Sequence, residues 1–197
     1  PVIQHSSTVA LQNGMTLELL FSQLRTAKDK ITKPYLLMGY LNSLLAMGIE
    51  TFYQNCNESG VHHIIIPDLP IKEYLKEHKP FADKSGVSPV FLITPSTTEK
   101  RIREIDGISK AFIYLVSGNT TTGNQSEMQT EAIQKISAMK LKNPVIIGFG
   151  IKNRADFQQA CSLADGAIIG SAFINIIAQS NNIQQDIQEF ILQIKNI

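Results

Sequence analysis

Charge is nearly balanced in this chain and nowhere concentrated: 18 Lys and Arg offset 17 Asp and Glu, for a formal +1 over 197 residues. Nucleic acid and anionic membrane surfaces therefore have no electrostatic footprint here, and Lys140 to Lys142 is a short loop segment rather than a basic patch. Long hydrophobic runs are missing too. The longest, 166–178, is broken by Ser171 and Asn175 and falls short of the roughly 20 residues a spanning helix needs, so no membrane partner is expected. No signal-peptide pattern is visible at the first residues. Cysteine is scarce: Cys56 and Cys161 lie far apart in helix-like patterns without metal-ligand spacing, and a reduced, cytoplasmic setting is expected. Histidine offers no metal site either. His62 and His63 are adjacent, so strand alternation sends them to opposite faces, while His5 and His78 have no spaced partners.

What the chain has is apolar material in short, regular pieces. At 43% hydrophobic it can bury one sizeable core, and a single domain over 1–197 is the expectation. Six apolar runs read as strands: 35–41, 63–68, 90–94, 111–117, 145–150 and 167–170. Helical patterns lie between them, such as Leu17, Leu20, Phe21, Leu24 and Phe157, Ala160, Cys161, Ala164. Glu104 and Asp106 read as the solvated end of another helix. Apolar strands alternating with helices imply a parallel sheet, either a (β/α) barrel or an open doubly wound sheet.

Glycine placement favours the barrel. The run from Pro144 ends in Gly-Phe-Gly at 148–150, and the run from Gly166 ends in Gly170-Ser171 just ahead of a helix. A phosphate needs bare backbone N–H groups at close range and a helix N-terminus aimed at it, and glycine allows that approach. Such a cradle after the last two strands is the barrel position, whereas an open sheet puts it after the first. The strand count is short, however. A closed eight-stranded barrel takes about 250 residues. The first segment, 1–13, reads as a helix followed by Gly14, so the chain starts within a βα unit and further strands must come from elsewhere to cover the open edges.

Seven stretches carry a family resemblance: PVIQHSSTVALQNG, LMGYLNSLLAMGIETFY, IIIPDLP, PVFLITPSTT, YLVSGNTTTG, IIGFGI and AIIGSA. Taken in that order they resemble the tryptophan synthase alpha subunit family. The resemblance implies a (β/α)8 TIM barrel, with this chain covering the second helix to the C-terminus, strands 3 to 8. It implies a lyase that cleaves indole-3-glycerol phosphate to indole and glyceraldehyde 3-phosphate in tryptophan biosynthesis. The implied partner is a beta subunit in an alpha2beta2 heterotetramer; pyridoxal phosphate belongs to that subunit, and no cofactor is expected in this one.

The same resemblance assigns residues. The catalytic glutamate and aspartate fall upstream of Pro1, so no catalytic residue is expected within these 197 residues, and the chain taken literally is expected to be inactive. Phosphate binding falls to Gly123, Gly150, Gly170 and Ser171. Tyr40, Ile65, Ile93, Tyr114, Thr122 and Phe149 are the implied substrate-binding set, with Tyr114 on the glycerol hydroxyl and Phe149 over the indole. Ile65 and Ile93 read equally as ordinary barrel core. Asn42 and Pro70 are implied at the beta-subunit contact, and Asp68 reads as a structural residue beside it. The loop 117–123 departs from the family pattern, with Gly118, Asn119 and Thr120 where an arginine and a glycine are commoner. Two alternatives stay open: a non-catalytic barrel that activates a beta subunit, and another sugar-phosphate barrel enzyme, such as a ribulose-phosphate epimerase or an indole-glycerol-phosphate synthase.

Overall fold

A computed structural model describes residues 2–116, 123–148 and 150–195, with the backbone alone for 123–128. In chain order the elements are α1 (Val2–Gln12), α2 (Leu17–Ala27), β1 (Leu37–Met38), α3 (Leu41–Met47), α4 (Ile49–Glu58) and β2 (His63–Ile65). Then α5 (Ile71–Glu73) runs through a π turn (Tyr74–His78) into α6 (Lys79–Ser85), followed by β3 (Ser88–Pro89), β4 (Phe91–Ile93) and α7 (Glu99–Ile108). The remainder is β5 (Ile113–Val116), α8 (Gly123–Ser137), β6 (Val145–Gly148), α9 (Arg154–Leu163), β7 (Gly166–Ile168), α10 (Ser171–Gln179) and α11 (Ile183–Lys195). Two units emerge: the first is Ala10–Phe91 with Ser109–Ala111, and the second takes the other described residues.

In the first unit β1, β2 and β3 form a parallel sheet, with Leu37 opposite Ile64 and His63 opposite Ser88. Its helices begin and end where local chemistry dictates. Thr16 caps α2 by accepting the Leu19 N–H at 3.2 Å. Gly48, at φ +90°, lets α3 stop and α4 start in a new direction. Phe21, Phe52 and Tyr53 fill the space behind the sheet as an edge-on chain of rings, 5.8 and 5.7 Å between centroids. Each such ring contributes roughly 2–3 kcal/mol through burial.

The second unit carries the order β4-β5-β6-β7. Register is continuous across its last three strands, with Val116 opposite Gly148 and Gly148 opposite Ile168. Ile113 and Leu115 are fully buried, while Tyr114 and Val116, on the other face of β5, are half-buried. Two side chains fix the start of α9: Asn153, its N-cap, accepts from Asp156 N–H, and the Asp156 carboxylate accepts from Lys152 N–H.

Two sequence expectations change. The run 90–94 holds β4, and a further strand, β3, precedes it just before Val90, so seven strands are present among the described residues rather than six. β3 pairs with β2, and Val90 N–H bonds to Ile64 C=O at 2.8 Å, whereas β4 belongs to the other sheet. Asp106 is not solvated. It is 8% exposed, and its carboxylate accepts from Lys142 N–H (2.9 Å), Asn143 N–H (3.0 Å) and the Asn143 side-chain amide (2.8 Å). It shares the inward face of α7 with Ile102 and Ile105, and it pins the segment leading into β6. Glu104 is exposed as expected, paired with Arg101.

Candidate phosphate and substrate site

Parallel strands deliver their C-terminal ends to one edge of a sheet, and the loops leaving that edge lead into helix N-termini. In the second unit, Gly148 and Ile168 are register partners. Gly150 and Gly170 each follow two residues later in the chain, in the loops that leave that edge. Gly150 adopts φ +72°, a left-handed backbone that glycine takes without strain. Gly170 is the N-cap of α10, whose first bond runs from Ile174 N–H to Gly170 C=O at 3.1 Å. The N–H groups of Ser171, Ala172 and Phe173 therefore have no intrahelical acceptor and point off that edge, where the dipole favours an anion by about 0.3–1 kcal/mol. Gly123 opens α8, the helix that follows β5 and starts from the same edge.

Nothing in the described fold demands glycine at 170. A Cβ built there meets only Ile3 Cδ1, at 3.8 Å. Gly148 is the opposite case: a Cβ there would run into the end of the Tyr114 ring, 2.6 Å from Cζ and nearer still to the hydroxyl and Cε2. Tyr114 thus lies across β6 in the space that Gly148 leaves open. Burial holds its phenol above the ordinary value, so it stays protonated at neutral pH, with an O–H available to donate. Gly148 was read from the sequence as part of a glycine turn, and its role as the floor beneath Tyr114 was missed.

The implied aromatic and aliphatic residues divide by unit. In the first, Tyr40 and Ile65 line a common apolar cavity of about 50 Å³ with Met38, Leu17, Leu20 and Phe52. Tyr40 stands at its rim, 67% exposed, and Ile65 at its floor, 2% exposed. The cavity holds a few water-sized groups rather than a bicyclic ring. Ile93, in the second unit, is 1% exposed and is core. Thr122 and Phe149 lie outside the described residues, as does the loop 117–122.

Asn42, in the first turn of α3, and Pro70, just ahead of α5, lie next to a carboxylate contact between Asp68 and Leu41. Asp68 Oδ1 accepts the N–H of Leu41, the first residue of α3, at 2.9 Å. Pro70 begins α5 and accepts Tyr74 N–H at 2.9 Å, and Asn42 accepts from Ser43 N–H at 2.9 Å. Asp68 is thereby occupied as a helix cap. Among the described residues, no cluster of histidine, cysteine or carboxylate is arranged to hold a metal. No helix among them is long and apolar enough to cross a membrane.

Residues 1–197 match the family model described as tryptophan synthase alpha chain. The chain belongs to the tryptophan synthase alpha chain family. It is 47% identical to the tryptophan synthase alpha chain of Flavobacterium johnsoniae, over 99% of this chain and 78% of that one. With the alpha chain of Bacteroides thetaiotaomicron the identity is 43%, over 99% of this chain and 76% of that one. Among solved structures, that of the Pyrococcus furiosus tryptophan synthase a2b2 complex superposes with a TM-score of 0.85 at 30% identity, covering 100% of this chain and 80% of that chain. The parallel α/β architecture is accordingly that of the tryptophan synthase alpha family, a TIM barrel of the lyase class acting in tryptophan biosynthesis.

Proposed function

We propose that this chain supplies the substrate-binding part of a lyase that cleaves indole-3-glycerol phosphate to indole and glyceraldehyde 3-phosphate. The observation that carries the reading is the in-register end of β6 and β7 at Gly148 and Ile168, two residues before Gly150 and Gly170, with the open N-terminus of α10 following Gly170. In this reading the backbone N–H groups of Gly123, Gly150, Gly170 and Ser171 hold the phosphate. Tyr114 donates to the glycerol hydroxyl, Thr122 supports the acid–base groups, and Phe149 covers the indole. Tyr40, Ile65 and Ile93 complete the proposed substrate-binding set.

The retro-aldol step needs a proton delivered to indole C3 and another withdrawn from the glycerol hydroxyl, each group contributing about 10²- to 10⁴-fold. The two carboxylates that perform these transfers in the family reading lie outside these 197 residues, and Asp68 is committed to Leu41 N–H. A polypeptide of these residues alone is expected to bind the phosphate tail weakly and to show no turnover. Its partner in this reading is a cytoplasmic beta subunit carrying pyridoxal phosphate, docked against Asn42 and Pro70. The Pyrococcus relative, described as an a2b2 complex, supports that partnership.

The test is turnover of indole-3-glycerol phosphate by this polypeptide, with and without a beta subunit, alongside titration with glycerol 3-phosphate. Phosphate binding without turnover is the predicted pattern. Turnover by the isolated chain would overturn the assignment of the acid and base, and absence of any phosphate binding would overturn the site.

A further inference from the structure

The first unit holds a buried imidazole that the proposed chemistry does not use. His78 is fully buried, and neither ring nitrogen has a hydrogen-bond partner among the described residues. Its ring meets Tyr53 of α4 edge to face, 6.0 Å between centroids and 77° between planes. The Tyr53 hydroxyl is also buried with no hydrogen-bond partner among the described residues. Such groups are uncommon in a well-packed interior, because each forgoes the hydrogen bonds that water would give it.

The backbone explains how His78 arrives there. Pro80 has no N–H, and in a regular α-helix its ring would crowd the carbonyl of Lys76. The helix widens instead: Lys79 N–H bonds to Tyr74 C=O, five residues back. In a regular α-helix a four-residue spacing drifts about 40° per step. The π turn offsets part of that drift, and Tyr74, His78 and Ala82 are all buried. His78 is the last residue of the turn and the first flank of α6.

We propose that His78 is a proton-operated latch on the turn that joins α5 to α6. As the neutral imidazole it stays in the core and closes the turn; once protonated it must leave, and the segment 71–85 opens. Among the described residues, a cation at this position has no hydrogen-bonded anion inside to pair with. On α4, Tyr53 and Cys56 are neutral, burial having pushed the Cys56 thiol up to about 12, and Glu50 is paired with Lys84 of α6. On α6, Lys79 and Asp83 pair with each other, and Asp83 also takes Lys110. Burial lowers the proton affinity of His78, while Glu73 and Glu77 of the same helix pull it up without reversing the direction. Glu77 is itself engaged by Lys76. Opening reaches beyond the turn, because α5 hangs from Pro70, two residues after the Asp68 that caps α3.

The sign follows from linkage. Above about pH 6.5 the open and closed forms bind the same number of protons at this site, and the latch is indifferent to pH. Below it the open form takes up a proton that the closed form excludes, so the opening equilibrium rises by up to tenfold per pH unit.

Amide hydrogen exchange on the intact protein between pH 8 and pH 5, corrected for intrinsic exchange, tests this. The expected result is a loss of protection across 71–85 below about pH 6.5, and a flat profile over the same segment in His78→Phe. Equal pH dependence in that variant, or no pH dependence in the parent, overturns the proposal. Should His78→Phe not fold, an NMR titration of the parent imidazole decides alone. Protonation coincident with loss of protection supports the latch, and protonation with the segment still protected overturns it.

Discussion

At Gly148 the missing side chain is what allows Tyr114 to lie across β6, and that pair sets the clearest test on a single residue. Gly148→Val is expected to destabilise the fold by about 1–3 kcal/mol, since the clash is with a ring rather than a flexible chain end. Thermal unfolding checks this, and in a Tyr114→Ala background most of that penalty should vanish; full persistence would place the strain elsewhere. Gly150 and Gly170 should separate stability from binding. Gly150→Ala forces a side chain into φ +72° and is expected to cost about 1–2 kcal/mol of stability. Gly170→Ala meets only ordinary contact at 3.8 Å, so its melting temperature should hold while affinity for glycerol 3-phosphate, measured by calorimetry, drops tenfold or more. Loss of stability without loss of affinity at Gly170 would argue against a phosphate there.

Among the elements, the joint between α7 and the segment before β6 depends on one carboxylate. Burial opposes ionisation of Asp106, but the hydrogen bonds from Lys142 and Asn143 outweigh it and hold the group below its usual range. With the folded value depressed, this contribution is complete above about pH 4 and is lost as pH falls through the folded value. Asp106→Ala is expected to cost about 2–4 kcal/mol at pH 7, and Asp106→Asn should flatten the acid limb of the stability profile. Chemical denaturation from pH 7 to pH 3 measures both.

The alternation of strands and helices was legible because apolar runs and helical spacing are local signals. The end of β6 at Gly148 and the start of α10 at Ser171 were legible for the same reason. Asp106 was misread as solvated, although its place one residue after Ile105 and four after Ile102 puts it on the buried face of α7. The division of 88–93 between two sheets was hidden, since a continuous apolar run does not reveal which neighbour each residue pairs with. The π turn had a single cue, Pro80 within a helical pattern, and that cue alone does not say whether a helix kinks, ends or widens.

For the molecule as a whole, membership of the tryptophan synthase alpha family fixes the class of chemistry, and the arrangement of strand ends says where this chain would contribute to it. The phosphate cradle is the central claim, because every substrate role proposed for the side chains depends on the ligand's tail being anchored at that edge. Its most direct test is a backbone amide NMR titration with glycerol 3-phosphate, following Gly123, Gly150, Gly170 and Ser171. The account predicts that these four amides shift together and saturate with one binding constant, while amides at the N-terminal ends of β5, β6 and β7 stay still. Unchanged resonances at the four positions, or shifts that follow only the strands' opposite ends, would contradict it.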